Sequence, residues 1–352
     1  MTQPADITTR DASGGQPVRR GAGPGLATVE WPTLGLLGLC YGGWAWGMTG
    51  AVAVSLPLAM AVVTVMTALH SSLSHEALHG HPTRSRVINA ALVFPALSLV
   101  VPYLRFRDTH LAHHRDSRLT DPYDDPESNY LDPAVWRRLA RWQRAVLRAN
   151  NRLAGRLVLG PALGTCAFVM SDWHAIRRGE RRVLVGWVLH LPAVAGVMLW
   201  IDRFAAMPLW AWGVCVYGGL ALLKLRTFLE HRAHTDATGR TVIIEDRGPL
   251  AWIFLNNNLH LVHHLHAAAP WYALPLLYRA DPERYLRANH GYRYRSYAEV
   301  LARYLLHAKD PVAHPLWPDP GGVVDTTAPT TGTPSVLRRI GFASGKSDTV
   351  AR

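Results

Sequence analysis

Histidines in four short segments are the residues of this chain whose types and spacing could perform chemistry. Two segments, HLAHH and HLVHH, share the spacing i, i+3, i+4, and a third, HEALH, has the spacing i, i+4. Because a helix turns once in 3.6 residues, each segment presents its imidazoles on one face. The fourth segment is EHRAH. The histidines of these segments are His75, His79, His110, His113, His114, His231, His234, His260, His263 and His264.

Repeated imidazoles at such spacing predict metal binding, since neutral imidazole is a common metal ligand. Nine imidazoles exceed the roughly four ligands that one zinc ion takes, so the pattern favours two metal ions. Imidazole binds iron, copper, zinc and nickel, and the spacing alone does not choose among them. A single histidine inside an apolar segment, such as His190, is instead expected to be a hydrogen-bonded core residue.

Two other kinds of protein compete with this interpretation. HEALH also fits the HExxH pattern of zinc proteases, with Glu76 as the general base. A membrane zinc metalloprotease would leave the HLAHH and HLVHH histidines without a role. A metal transporter should have ionisable residues along the middle of its membrane spans, and apart from His190 the apolar segments have almost none.

Long apolar segments must position these histidines. A membrane-spanning helix needs about 20 apolar residues, and four segments reach or approach that length. Tryptophans near segment ends, among them Trp31, Trp46, Trp200 and Trp210, fit the two interfaces of a bilayer. We therefore favour membrane spans over buried helices of a soluble protein. The four predicted spans are approximately 32–48, 51–70, 183–201 and 207–225.

The formal net charge of +12 comes mostly from arginine, and many of the arginines lie between the second and third predicted spans. The positive-inside rule places that region, and with it both termini, in the cytoplasm. The arginines flank apolar segments, so we do not expect nucleic-acid binding. The fold class predicted is an all-α integral membrane protein with four transmembrane helices as two hairpins. A cytoplasmic helical cap, made of the segments that carry the histidines, completes it.

Two further apolar segments, 87–104 and 157–171, are predicted to be interfacial or re-entrant. If 87–104 crossed the membrane, the histidine groups before and after it would face opposite sides. Without that crossing, all four groups reach the same face. Residues 29–317 form the predicted membrane domain, and the Gly- and Pro-rich ends 1–28 and 318–352 are predicted to be disordered.

Polar residues near the histidines are candidates to hydrogen-bond metal-bound imidazoles, because such rings usually donate their second N–H to a carboxylate or carbonyl. A solvated or helix-capping role remains equally open for the carboxylates. The loop 121–128, DPYDDPES, is predicted to be rich in turns. Segment 137–156 is predicted to lie on anionic headgroups or to attract an acidic electron donor. The candidate partners are Glu76, Asp108, Asp116, Glu230 and Asn257.

The three histidine boxes resemble those of the membrane fatty acid desaturases and their hydroxylase and carotenoid-ketolase relatives. The resemblance covers most of residues 30–310, and HGHPTR, HLAHHRDSRLTDP and NNNLHLVHHLHAAAPWYALP look like a bacterial branch. It implies two iron ions ligated mainly by histidine, with O2 as co-substrate. It also implies one further ligand after the fourth span, which we carry to His231 in FLEHR, with His234 as the fallback.

The resemblance further implies desaturation of an aliphatic acyl chain of a fatty acid or lipid. Hydroxylation or ketolation of a lipid, alkane or terpenoid remains open, because the same ligands serve both reactions. Electrons must come from an external donor, such as ferredoxin with its reductase, since the chain has no Fe–S cysteine set, haem motif or flavin-type glycine loop. We expect a bacterial inner-membrane protein with its metal site in the cytoplasm. Three separate cysteines, Cys40, Cys166 and Cys215, are expected to be buried, reduced thiols.

Overall fold

The structure is a computed structural model that describes residues 29–114 and 118–317. The predicted disordered ends, 1–28 and 318–352, lie outside the described residues. Helix dominates the described part, with two short strands, β1 (Ile243–Ile244) and β2 (Arg293–Tyr294). Its helices are α1 (Trp31–Met48), α2 (Gly50–Val54), α3 (Leu56–Leu78), α4 (Arg86–Leu92), α5 (Tyr103–His113), α6 (Pro133–Arg138), α7 (Arg141–Asn150), α8 (Leu153–Arg177), α9 (Arg181–Phe204), α10 (Leu209–Arg226), α11 (Pro249–Ile253), α12 (His260–Leu265), α13 (Leu274–Ala280), α14 (Pro282–Ala288) and α15 (Tyr297–Tyr304).

Three of the described helices, α3, α8 and α9, are long and apolar enough to cross a membrane. α9 contains the predicted span 183–201, and its exposed apolar side chains include Val185, Leu191 and Leu199. The predicted span 51–70 is divided at Ser55, whose backbone is extended, and Pro57 lies in the first turn of α3. The division has a physical cause, because proline fits the start of a helix but not its interior.

The segment 157–171, predicted to be interfacial or re-entrant, is part of the 25-residue helix α8. α8 extends beyond the apolar segment at both ends, and it includes Asp172. The predicted spans 32–48 and 207–225 form α1 and α10, 18 residues each, which are not among the three helices. The arrangement of four spans as two hairpins therefore stays a prediction.

Residues 87–104 do not form one helix. α4 begins after Ser85, whose side chain accepts a hydrogen bond from the backbone N–H of Ile88, and it ends at Leu92. Non-helical chain follows up to Pro102, and α5 then begins. Pro95 and Pro102 account for the interruption, since proline removes a helical hydrogen bond.

α3 occupies the centre of the apolar helices and packs mainly against α1 and α10, while α10 also packs against α8. Met48, Val63 and Cys215 are among the fully buried residues of this core. A separate core lies around Phe228 and Tyr297. Of the three cysteines, all free, Cys40 and Cys215 are buried as expected, whereas Cys166 is exposed.

Two ion pairs fix α5 against neighbouring helices. The guanidinium of Arg105 donates to both carboxylate oxygens of Asp172 on α8, at 2.9 and 2.8 Å. The indole Nε1–H of Trp187 on α9 donates to the same carboxylate at 2.8 Å. In the middle of α5, Asp108 accepts two hydrogen bonds from Arg182 of α9. These contacts position the end of α5, where HLAHH lies.

Candidate metal centre

The structure brings nine of the predicted histidines together in two groups. Within each group, one nitrogen of every imidazole lies within 4.8 Å of those of the others. The first group contains His75, His79, His110, His114 and His263. The second contains His113, His231, His260 and His264.

In the first group, Nε2 atoms face one another. Nε2 of His110 lies 2.9 Å from Nε2 of both His75 and His114. Nε2 of His263 lies 3.2 Å from Nε2 of His114. The buried Nε2 of His79 has no hydrogen-bond partner among the described residues. A buried polar atom without a partner is costly, and a bound cation would satisfy it.

The second group has the same form. Nε2 of His231 lies 2.9 Å from Nε2 of His113 and 3.1 Å from Nε2 of His260. Nε2 of His264 lies 3.2 Å from Nε2 of His260. Imidazole nitrogens that share one ion at about 2.1 Å lie about 3 to 4 Å apart, so these separations fit a common ion.

Helical spacing divides the two boxes between the groups. In HLAHH, the i, i+4 pair His110 and His114 belongs to the first group, and the intervening His113 belongs to the second. In HLVHH the assignment is reversed, because the pair His260 and His264 belongs to the second group and His263 to the first. Each i, i+3, i+4 box therefore connects both groups.

Four parts of the chain supply these imidazoles. His75 lies in the last turn of α3, and His79 is the residue that caps it. The HLAHH histidines lie at the end of α5, and the segment HLVHH forms most of α12. His231 follows α10 and pairs with Thr241 in an isolated bridge. α3 therefore ends inside the candidate metal centre.

Two carboxylates orient imidazoles of HLAHH. Oδ1 of Asp125 lies 2.8 Å from Nδ1 of His113, and Oε1 of Glu127 lies 3.1 Å from Nδ1 of His110. Asp125 is almost fully buried and also accepts the backbone N–H of Thr120. A carboxylate that accepts Nδ1–H leaves the lone pair of Nε2 free to bind a metal ion.

Sequence reasoning missed Asp125 and Glu127 as partners of imidazoles. It placed both in the loop 121–128 and predicted turns, which the structure shows there. The only signal in the sequence was the density of carboxylates shortly after HLAHH. The number of residues between HLAHH and these carboxylates did not indicate which way their side chains point, because the loop is irregular.

Two predicted partners lie beside His260. Oδ1 of Asn257 is 3.1 Å from Nδ1 of His260, and Oε1 of Glu230 is 3.8 Å from the same atom. The side-chain amide of Asn257 also donates to Glu230 at 3.3 Å. The structure thus places both residues where they can orient this imidazole.

Two other predicted partners contact no imidazole of the described groups. Oε2 of Glu76 accepts the backbone N–H of Trp271 at 3.0 Å. This follows from helix geometry, because adjacent residues point about 100° apart, so Glu76 faces away from His75. Asp108 pairs with Arg107 and Arg182. Asp116 lies outside the described residues.

His234, the fallback ligand, belongs to neither group of the centre. It lies with Asp236 and His290 in a third, more exposed cluster. His190, expected to be a hydrogen-bonded core residue, is buried and contacts the carbonyl oxygen of Leu99 through Nε2 at 3.0 Å.

Burial keeps most of these imidazoles neutral, the form that binds metal. Burial, followed by the neighbouring imidazoles, holds the pKa values of His231, His260 and His263 well below the usual range. The same causes lower the pKa of His79 to about 2. Neutral imidazoles that converge through Nε2 suit a metal ion.

His113 is the exception. Burial by itself lowers the pKa of His113, but the carboxylates of Glu127 and Asp125 outweigh it and raise the pKa to about 9. For Glu127 burial by itself raises the pKa, but His113 and His110 outweigh it and hold the pKa of Glu127 below the usual range. The two carboxylates therefore provide negative charge that favours a cation at this position, whether a proton or a metal ion.

A cavity of about 510 Å³ adjoins the centre and includes Glu127, Glu230 and His231 in its lining. It also follows α8, which lines it at positions between Arg156 and Ala175. At a rise of 1.5 Å per residue this stretch is roughly 28 Å long. The cavity is therefore elongated, and its volume is in the range of ligand sites.

The model of the family described as fatty acid desaturase matches residues 32–297. The matched region contains all nine histidines of the two groups. No curated protein matches the chain.

Proposed function

Because this chain belongs to the fatty acid desaturase family, we propose that it is an O2-dependent di-iron membrane oxidoreductase that desaturates an aliphatic acyl chain of a fatty acid or lipid. The single observation that carries the proposal is the convergence of nine imidazoles into two groups beside an elongated cavity. Two bound irons would supply the activation of O2 that removal of hydrogen from an unactivated C–H bond requires.

The protein's own part is to hold and orient the two ions. The first group would hold one iron and the second group the other, each through Nε2 atoms. Asp125 and Glu127 accept Nδ1–H of His113 and His110, and Asn257 with Glu230 lies at Nδ1 of His260. These contacts place the ring proton on Nδ1, so that Nε2 is the nitrogen that faces the ion, and they fix the ring planes.

The cavity is the proposed substrate site. It reaches Glu127 and His231 at the metal centre and follows one face of α8. Spread over a length of roughly 28 Å, its volume makes a narrow channel. An extended aliphatic chain fits this shape, which supports an acyl substrate.

Electrons would come from outside the chain, from a ferredoxin-like donor with its reductase. The segment 137–156, predicted to be a surface helix, is divided among the end of α6, the whole of α7 and the start of α8, and Trp142 on α7 is 60% exposed. An exposed tryptophan beside arginines is typical of a helix on headgroups, so we assign α7 to the anionic membrane surface. We further propose a bacterial inner-membrane location, with both termini and the metal centre in the cytoplasm.

The zinc-protease alternative lacks its general base. In HExxH proteases the glutamate must reach a metal-bound water. Here Oε2 of Glu76 instead accepts the backbone N–H of Trp271. Hydroxylation or ketolation of a lipid, alkane or terpenoid uses the same ligands, so the product decides between these reactions and desaturation.

Metal analysis of the purified protein and lipid analysis of cells test the proposal together. We expect two irons per chain, and a new unsaturated lipid chain in cells that express the gene. His110→Ala and His263→Ala should abolish activity and lower iron content while membrane insertion is retained. His307→Ala, which removes an exposed histidine outside both groups, is the matched control. Zinc instead of iron, or full activity in either histidine variant, would contradict the proposal.

The mass of the product separates the two oxidative reactions. Desaturation removes two hydrogen atoms from the chain, whereas hydroxylation adds one oxygen atom. A product that carries a new hydroxyl and no new double bond would replace the desaturase assignment with the hydroxylase one and leave the metal centre in place.

A further inference from the structure

A third cluster of metal-ligand side chains lies on the cap, apart from the two histidine groups. One ring nitrogen each of His234 and His290 and one carboxylate oxygen of Asp236 lie within 4.8 Å of one another. Nε2 of His290 is 2.8 Å from Oδ2 of Asp236, and the two imidazole rings have centroids 4.6 Å apart. None of the three residues contributes to the proposed di-iron centre.

Local packing holds His234 in place. A Cβ at position 239 would lie 2.2 Å from Nδ1 of His234, so the loop can pack against this ring only because residue 239 is glycine. Nδ1 of His234 lies 3.0 Å from the backbone nitrogen and 3.3 Å from the carbonyl oxygen of Asp236. The carbonyl oxygen of Asp236 can accept Nδ1–H, and in that tautomer Nε2 of His234 keeps its lone pair for a ligand.

The turn that carries His290 is joined by buried contacts to the loop 232–241, which carries His234 and Asp236. Asn289 is fully buried, and its side-chain amide donates to the carbonyl oxygen of Thr241 at 3.2 Å. Arg232 donates to the carbonyl oxygen of Asn289 and stacks over the ring of Tyr292. The three candidate ligands are therefore presented by two segments that the fold already fixes together.

The donor set indicates the class of ion. Two imidazoles and one carboxylate suit zinc and similar divalent transition metals, whereas magnesium and calcium prefer oxygen ligands alone. Three protein ligands with water in the remaining position form a common zinc arrangement. Nε2 of His290 and Oδ2 of Asp236, 2.8 Å apart, fit adjacent positions around one ion.

We propose that His234, Asp236 and His290 bind a divalent transition-metal ion of the zinc class, separate from the di-iron centre. The ion cross-links the loop after His231 to the turn at His290. Because His231 lies three residues before His234 and pairs with Thr241, occupancy of this site stiffens the loop that carries one member of the second histidine group.

Zinc titration of the iron-loaded full chain in detergent tests the proposal. A chromophoric zinc chelator reports the free ion, and iron released into solution is measured in parallel so that exchange at the histidine groups is detected. We expect one zinc to bind per chain without release of iron, and to raise the melting temperature. His290→Ala should weaken this binding at least tenfold and remove the shift in melting temperature, whereas His307→Ala should change neither.

A second variant distinguishes a loss of zinc binding from a folding defect. Asp236→Asn keeps the shape of the side chain and removes its charge, and it should also weaken zinc binding while iron content stays at the wild-type level. If the wild type binds no zinc beyond the histidine groups, or if both variants bind zinc as the wild type does, then Asp236 and His290 form only an ion pair and the proposal fails. Loss of zinc binding with retention of iron in both variants supports the proposal. This result does not depend on the reaction that the di-iron centre catalyses.

Discussion

Replacement of Asp125 with asparagine should weaken binding of the proposed iron by about 10- to 100-fold, the usual effect of removing the carboxylate behind a metal-bound imidazole. Asp125 is 2% exposed, and both of its oxygens act only as acceptors. Oδ1 faces Nδ1 of His113 and the backbone N–H of Glu127, each at 2.8 Å. Oδ2 accepts the backbone N–H of Thr120 at 2.9 Å.

An asparagine at this position cannot satisfy all three donors. If the NH2 group of the asparagine takes the place of Oδ2, this donor faces the N–H donor of Thr120. If the NH2 group takes the place of Oδ1, it faces the Nδ1–H donor of His113. Either orientation leaves a buried donor without an acceptor, which costs about 1–3 kcal/mol. A 10- to 100-fold loss of affinity corresponds to about 1.4–2.7 kcal/mol, so the two magnitudes agree.

The assay is competition for iron between the purified protein and a chelator of known affinity, with activity measured on the same samples. Asp124→Asn is the matched control. It makes the same chemical change in the same loop, at an exposed carboxylate that pairs with Arg118 instead of an imidazole. Wild-type iron affinity in Asp125→Asn, or an equal loss in Asp124→Asn, would refute the role given to Asp125.

Two further substitutions test the cavity and the position of α5. Gly164 lines the cavity beside Lys224, so Gly164→Leu should narrow the proposed channel and lower turnover at least tenfold at unchanged iron content. Gly196→Leu, where a Cβ meets no atom within 4 Å, should leave turnover unchanged, and equal activities in the two variants would argue against the channel. Asp172→Ala should lower stability by about 3–5 kcal/mol, because it leaves the guanidinium of Arg105 without its buried partner. Thermal unfolding in detergent measures this effect, with the exposed Asp202→Ala expected to stay within about 0.5 kcal/mol and an equal loss in both counting against the buried pair.

The histidine boxes were the part of the site that the sequence could predict. Spacing of i, i+3, i+4 places imidazoles on one helix face whatever the rest of the fold does. Spacing alone could not assign His113 and His263 to different groups from their neighbours. That division depends on where α5, α12 and the end of α3 lie relative to one another, which is a tertiary property.

The partners of the imidazoles were harder to predict for a related reason. Asn257 lies three residues before His260, and its placement follows from a short local turn. Asp125 reaches His113 from an irregular loop, where no periodicity indicates which way a side chain points. The carboxylate of Asp172 shows the same limit, because Arg105 and Trp187, which make its burial in α8 possible, come from other helices.

α3 is both an apolar helix of membrane-spanning length and the carrier of His75, with His79 at its end. A helix adjusts to the hydrocarbon thickness around it by tilting. A change of lipid that tilted α3 would therefore displace two imidazoles of the first group directly, with no flexible linker to absorb the movement. Lipid length would in this way act on the metal ligands through the scaffold as well as through the substrate.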